Sequence, residues 1–170
     1  MSGFHIRAYE PSDEDAVIGL WRACGLVVSQ NDPKRDIERK LKVNPEWFLV
    51  GLIDGLVIGT CMAGYEGHRG WINYLAVHPD HQRRGLARRL MEHVESLLRA
   101  AGCPKINLQV RGTNKAVIAF YERLGFTEDA VISLGRRLEH DDPALPPPRD
   151  AAFCGPCPPA PRFPPPPGPR

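Results

Sequence analysis

Leu75-Ala76-Val77-His78-Pro79-Asp80-His81-Gln82-Arg83-Arg84-Gly85-Leu86-Ala87 is the stretch on which the reading of this chain turns. A short apolar run ends at a proline turn, a basic segment with a glycine follows, and a helical pattern then begins. Backbone N–H groups at a helix start, with little side-chain bulk at Gly85 and Ala87, make a ready anion site. Arg83, Arg84, Arg88 and Arg89 add positive charge around it. A diphosphate-bearing ligand suits such a turn. A tight strand-to-helix turn packed on a sheet would explain the small residues but not the basic surround.

Working outward, Leu86, Leu90, Val94, Leu97 and Leu98 recur at helical spacing and predict a helix over 84–101, ended by Gly102. Upstream, Trp71 to Val77 reads as a strand. Before it, Trp47 to Ile53 and Leu56 to Met62 are β runs joined by the hairpin signal Asp54-Gly55. Ile6 to Ala8 is a first strand. Ser12 is expected to cap a helix from Asp13 to Cys24, with Asp15 as its partner, and Asp32-Pro33 to open a second helix ending at Leu41. Downstream, Ile106 to Val110 reads as a strand, Asn114 as a helix cap, and Ala116, Val117, Phe120 and Leu124 as the inner face of the next helix. Strands are expected from Phe126 to Leu138. The order is βααβββαβαββ, an α+β fold with a mixed sheet covered by helices.

The 170 residues suit one domain, residues 1–140, followed by a Pro-rich tail over 141–170. Thirteen of the eighteen prolines fall in that tail, which predicts a disordered, polyproline-like segment. Its Arg162-to-Pro167 end suits an aromatic groove, or simply solvent. Cys154-Gly155-Pro156-Cys157 copies a redox tetrapeptide, but the prolines that follow remove the helix such chemistry needs. Cys24, Cys61 and Cys103 read as small buried thiols. A net charge of +2 does not suggest a nucleic-acid partner. No apolar run approaches the roughly 18 residues of a membrane span, and no signal-peptide pattern opens the chain, so the expected location is cytoplasmic. No metal-ligand cluster stands out.

The Gln82-x-x-Gly85-x-Ala87 core resembles the acyl-CoA-binding signature of the GNAT (Gcn5-related N-acetyltransferase) superfamily. Asn114 to Phe126, with Phe120-Tyr121-x-x-x-Gly125-Phe126, looks like the segment that closes the same fold. The N-terminal part, Trp21 to Cys24 and Asn31 to Leu41, is similar to the bacterial YpeA-type acetyltransferases. The resemblance covers roughly residues 4 to 139. It implies a mostly antiparallel sheet of six to seven strands with about four helices, and acetyl-CoA as co-substrate.

The same resemblance implies roles. Gln82, Arg83, Arg84, Gly85, Leu86, Ala87 and Arg88 would surround the diphosphate, and the free edge of Leu75, Ala76 and Val77 would pair with the pantetheine amides. Asn114 would approach the pantetheine arm, beside its capping duty. Tyr121 would donate a proton to the departing thiolate, a phenol near ~10 serving a thiol near ~8.5. Some relatives carry a glutamate where Gln109 stands here, and others use an earlier position that falls near Trp71; neither residue ionises. Glu66 and His68 remain candidate bases, with release of protons through water as the alternative. The expected reaction is acetyl transfer to a primary amine by direct attack in a ternary complex. The acceptor is a small molecule, a protein N-terminus or a lysine. The alternative is a non-catalytic CoA-binding domain. The protein is expected to act as a monomer or homodimer, with no membrane partner.

Overall fold

The computed structural model describes residues 3–139 and Asp141; the rest of the tail, with Cys154, Cys157 and the Arg162-to-Pro167 end, lies outside the described residues. In chain order it contains β1 (His5–Ala8), α1 (Glu14–Ala23), α2 (Pro33–Leu41), β2 (Phe48–Ile53), β3 (Leu56–Tyr65), β4 (Gly70–Val77), α3 (Leu86–Ala100), β5 (Ile106–Leu108) and α4 (Lys115–Glu122). The strands form one sheet in sequence order, β1-β2-β3-β4-β5. All neighbours pair antiparallel except β4 and β5, which are parallel and joined by the α3 crossover.

Local chemistry accounts for most boundaries. Asp54 and Gly55 both take positive φ, 51° and 78°, as a two-residue hairpin turn requires. The Asp32 carboxylate accepts the Lys34 N–H at 2.9 Å and caps α2, with Pro33 at its first position. α3 is followed by Gly102 at φ 77°. Two expectations need correction. Ser12 does not cap α1: it lies in a 3-10 turn over Pro11–Asp13. There the buried Asp13 carboxylate accepts the Glu10 N–H and pairs with Arg7 at 2.7 and 2.9 Å, taking the local role given to Ser12 and Asp15.

The sheet has five strands among the described residues, not six to seven. Residues 126–138 carry strand-like side chains but adopt no regular structure. Strand preference is realised only against a partner strand. β5 stops at Leu108, one step before Gln109, whose side chain meets the Ser133 hydroxyl in place of a ladder. Lys105 and Asp129 add a second side-chain tie at 2.6 and 2.7 Å.

Two apolar layers enclose the sheet. On one face Leu49, Ile58, Cys61, Ile72 and Val77 pack under Leu86, Leu90, Met91, Val94 and Leu98 of α3, with Tyr121 of α4. On the other, Phe48, Val50, Leu52, Met62 and Ala76 pack under Val17, Ile18, Leu20 and Trp21 of α1 and Ile37 of α2. Each large side chain fully buried here contributes about 1.5–3 kcal/mol. Gly51 is needed for space: a Cβ there would stand 2.3 Å from the Phe4 ring.

Candidate active site

Ile72 and Val77 of β4 lie on the same face of the sheet although five residues separate them. A regular strand alternates, so an odd separation should place them on opposite faces. One residue is therefore extra. Pairing with β3 runs Thr60 to Ala76 and then Met62 to Asn73, leaving Cys61 opposite both Tyr74 and Leu75. Tyr74 takes φ 51°. This is a β-bulge, and a non-glycine residue in that conformation costs on the order of 1–3 kcal/mol.

β4 also parts from β5. The parallel pairing covers Gly70 to Ile106, Trp71 to Asn107 and Ile72 to Leu108, and then ends. Among the described residues, the β4 edge from Asn73 to Val77 has no strand beside it. Beyond Ile72 the two strands share no ladder and part as a wedge, so the edge of β4 turned away from β3 has no strand partner there among the described residues.

The wedge leads to the turn before α3. Gln82 donates from Nε2 to the Val77 carbonyl at 3.0 Å, tying the turn to the strand end. Arg83 and Gly85 take φ 58° and 78°. Gly85 caps α3 with no side-chain hydrogen bond and no acid in the first turn, so the first N–H groups of α3 have no side-chain partner. A Cβ built on Gly85 meets nothing within 4 Å, so Gly85 is not a packing glycine; it supplies the φ and leaves approach open. Leu86 is buried beneath the turn and anchors it.

The four arginines divide. Arg89 donates to the Phe4 carbonyl at 2.9 Å and lies over the Phe4 ring, 5.0 Å from its centroid. Arg84 donates to the Asp80 carbonyl at 3.1 Å. Arg83 and Arg88 make no hydrogen bond or ion pair among the described residues and are exposed.

Tyr121 stands on the α3 side of the sheet, buried to 9% exposure between Phe120 and Phe126 at ring distances of 5.1 and 5.5 Å. Of the expected inner face of α4, Val117, Phe120 and Leu124 pack half-buried against the core. Ala116 is exposed, and Tyr121 joins that face as the one residue of α4 that is buried. Burial first, and then the neighbouring Cys61, pushes its phenol well above the ordinary value of 10. Cys61 faces the bulge, so Tyr121 is brought close to it. The Cys61 thiol is itself pushed up to about 12 by complete burial, which makes it inert. Cys24 and Cys103 are half-buried, and all three thiols are free. Asn114 caps α4, accepting the Val117 N–H at 3.3 Å.

Glu66 lies in the β3–β4 turn. Its carboxylate accepts the Arg69 N–H at 3.0 Å from each oxygen and the His68 N–H at 3.3 Å, and these bonds hold its pKa below the usual value. Gly70 to Tyr74 spans four residues of strand, so the turn is about 13 Å from the bulge. The geometry makes Glu66 a turn residue and a weak base, remote from the wedge. His68 shares that turn. Gln109 and Trp71 bring no ionisable group either. Among the described residues no cluster of three metal-ligating side chains occurs, and no helix is long and apolar enough to cross a membrane.

One set of residues has no counterpart in the reading of the sequence. Trp21 Nε1 donates to Thr60 Oγ1 at 3.0 Å, and Thr60 donates to the Tyr74 carbonyl at 2.9 Å. The Tyr74 ring stacks on Trp21 at 4.0 Å, and its hydroxyl donates to Asp36 at 2.6 Å. No local signal marks the bulge: Tyr74 to Val77 is continuously apolar, as any strand buried on both faces would be.

The sequence pattern of the acetyltransferase (GNAT) family matches residues 14–126. An acetyltransferase of Sodalis glossinidius is 50% identical over 137 residues, 80% of this chain and 96% of that protein. The ribosomal-protein-S18-alanine N-acetyltransferase of Escherichia coli superposes with a TM-score of 0.64 at 26% identity, covering 75% of this chain and 80% of the other. An aminoglycoside N-acetyltransferase solved with CoA shares the fold at a TM-score of 0.67 and 20% identity, over 81% and 96% of the two chains.

Proposed function

The chain belongs to the acetyltransferase (GNAT) family, and we propose that it moves an acetyl group from acetyl-CoA to a primary amine by direct attack in a ternary complex. The observation that carries this reading is that β4 loses its β5 partner beyond Ile72 and is followed by a helix start with no side-chain cap. Arg83, Gly85, Leu86, Ala87 and Arg88 hold the diphosphate through backbone N–H groups and two side chains with no other partner. Gln82 and Arg84 shape the turn, since their side chains are engaged within it. Leu75, Ala76 and Val77 pair with the pantetheine amides, and Asn114 closes the opposite rim.

The amine nitrogen attacks the thioester carbonyl carbon, a C–N bond forms, and the C–S bond breaks. Tyr121 gives its hydroxyl proton to the departing sulfur. Burial that keeps the phenol protonated also disfavours a free thiolate, so proton affinities of donor and acceptor rise together. The surplus proton on nitrogen leaves through water, which returns one to the Tyr121 phenolate, rather than to Glu66, whose carboxylate is bound within its own turn. No acyl-enzyme forms on Cys61, buried and protonated as it is.

Release of free thiol from acetyl-CoA across a panel of small amines, N-terminal peptides and lysine peptides tests the proposal. Amine-dependent release supports it. A non-catalytic CoA-binding domain is the second reading, favoured by Gln109 bonded to Ser133 where some relatives place an acid; binding of CoA without release under any acceptor would establish it.

A further inference from the structure

The bulge is held from a distance. Asp36, which accepts the Tyr74 hydroxyl at 2.6 Å, also accepts Arg39 Nη1 at 3.1 Å. Arg39 reaches across to Asp141 with both guanidinium nitrogens, and Asp141 also accepts the Asp32 N–H at 2.9 Å, at the cap of α2. Asp141 is 7% exposed although it stands at the start of the Pro-rich tail. Arg137, four residues before, donates to the Gln30 carbonyl at 2.8 Å and to Asn31 at 3.1 Å. The C-terminal segment through Arg137 and Asp141 is thus laced to the segment entering α2, and α2 is laced to β4.

We infer that Tyr74, Asp36, Arg39 and Asp141 form a positioning relay that sets the bulge and the α1–α2 segment for the acceptor, with Asp141 as its outer anchor. Three observations converge on this. Tyr74 occupies a strained backbone conformation, which persists only where the surroundings over-determine it. Its carbonyl, ring and hydroxyl are each engaged by a different element: Thr60 of β3, Trp21 of α1 and Asp36 of α2. Two acids at the start of α2 are engaged within the protein, Asp32 capping its helix and Asp36 serving the relay, whereas Glu38 is exposed. The task of Asp32 and Asp36 is therefore internal. A charge-assisted, two-pronged ion pair suits such an anchor because its geometry is directional.

The inference rests on the acetyl-transfer reading, and hydrogen exchange keeps the two separable. Asp141→Asn removes the outer anchor, and Tyr74→Phe removes one hydroxyl while keeping the stacked ring. In both variants, amides 73–77 of β4 are expected to exchange faster than in the parent protein. The acceptor KM is expected to rise about fivefold, the effect of losing one hydrogen bond in the set. The acetyl-CoA KM stays within about twofold, and the double variant is little worse than either alone. Faster exchange confined to α2 in Asp141→Asn, or a lowered melting temperature with unaltered acceptor KM, would overturn the relay. A parent protein inactive on every acceptor would sink the transfer reading, while the exchange pattern across β4 would still decide the relay.

Discussion

The two rims of the wedge are built on opposite principles. On the α3 rim, polar groups are left without partners: the first N–H groups of α3 lack a side-chain cap, and Arg83 and Arg88 bond to nothing described. On the α2 rim nearly every polar group is spoken for, from Trp21 through Thr60, Tyr74, Asp36 and Arg39 to Asp141. Donors that no protein group occupies and that stand open to solvent can be taken up by an anionic ligand, so the first rim reads as a binding surface. Paired groups hold shape, so the second reads as scaffold. Charge alone does not make this distinction. Arg84 and Arg89 belong to the same basic cluster as Arg83 and Arg88, yet they brace the turn and the N-terminal segment.

The comparison can be broken most directly at a residue on the α3 side of the sheet. Tyr121→Phe is expected to lower turnover about a hundredfold, in the range of a lost general acid, while CoA affinity barely changes. Unaltered turnover would remove Tyr121 from the chemistry. A smaller effect is expected on the open rim. Gly85→Ala adds a Cβ into empty space at positive φ, for a backbone cost of about 1–2 kcal/mol, and should weaken CoA about tenfold by obstructing the turn. If stability falls but calorimetric affinity does not, the turn is merely a turn.

Within the arginine cluster, Arg83→Gln and Arg88→Gln should each weaken CoA roughly threefold to fivefold at low salt, an effect that fades as salt rises. Arg89→Gln should instead lower the melting temperature and leave CoA binding alone. The paired rim has an acid signature. Hydrogen bonds from Arg39 and then from the Asp32 N–H hold the Asp141 carboxyl down to about 2, below its ordinary 3.8. A depressed carboxyl stabilises the fold above its unfolded pKa and loses that contribution as pH falls through the folded value. Melting temperature should therefore drop between pH 4 and pH 2 more steeply in the parent protein than in Asp141→Asn. The smallest effect belongs to Cys61→Ala, which should keep turnover within about twofold while costing some core stability. Loss of activity there would revive a covalent step.

Much of the α3 rim was legible in the sequence because its determinants are local. Glycine at positive φ, a basic turn and a helix start lie within thirteen residues, and the helical spacing of Leu86 to Leu98 is unambiguous. Asn114 and Asp32 were legible for the same reason: a cap acts two or three residues away. The α2 rim was not, because the bonds that tie it to the rest of the fold join distant residues, 38 positions apart for Tyr74–Asp36 and 109 for Asp32–Asp141. A bulge in a strand buried on both faces leaves no break in hydrophobicity to read. Strand character over 126–138 misled in the other direction, since β-branched residues promise a strand only where a neighbouring edge accepts it. Glu66 is legible as an acid, but the bonds that hold its carboxylate within its own turn are not.

The central claim is that a diphosphate sits on the exposed amides at the start of α3. The most direct measurement is a titration of isotopically labelled protein with coenzyme A, following backbone amide resonances. The account predicts that the largest saturable shifts fall on Arg83 to Arg88, that Leu75 to Val77 follow, and that inorganic pyrophosphate reproduces the first group alone. Shifts that spare the Gly85, Leu86 and Ala87 amides would contradict it.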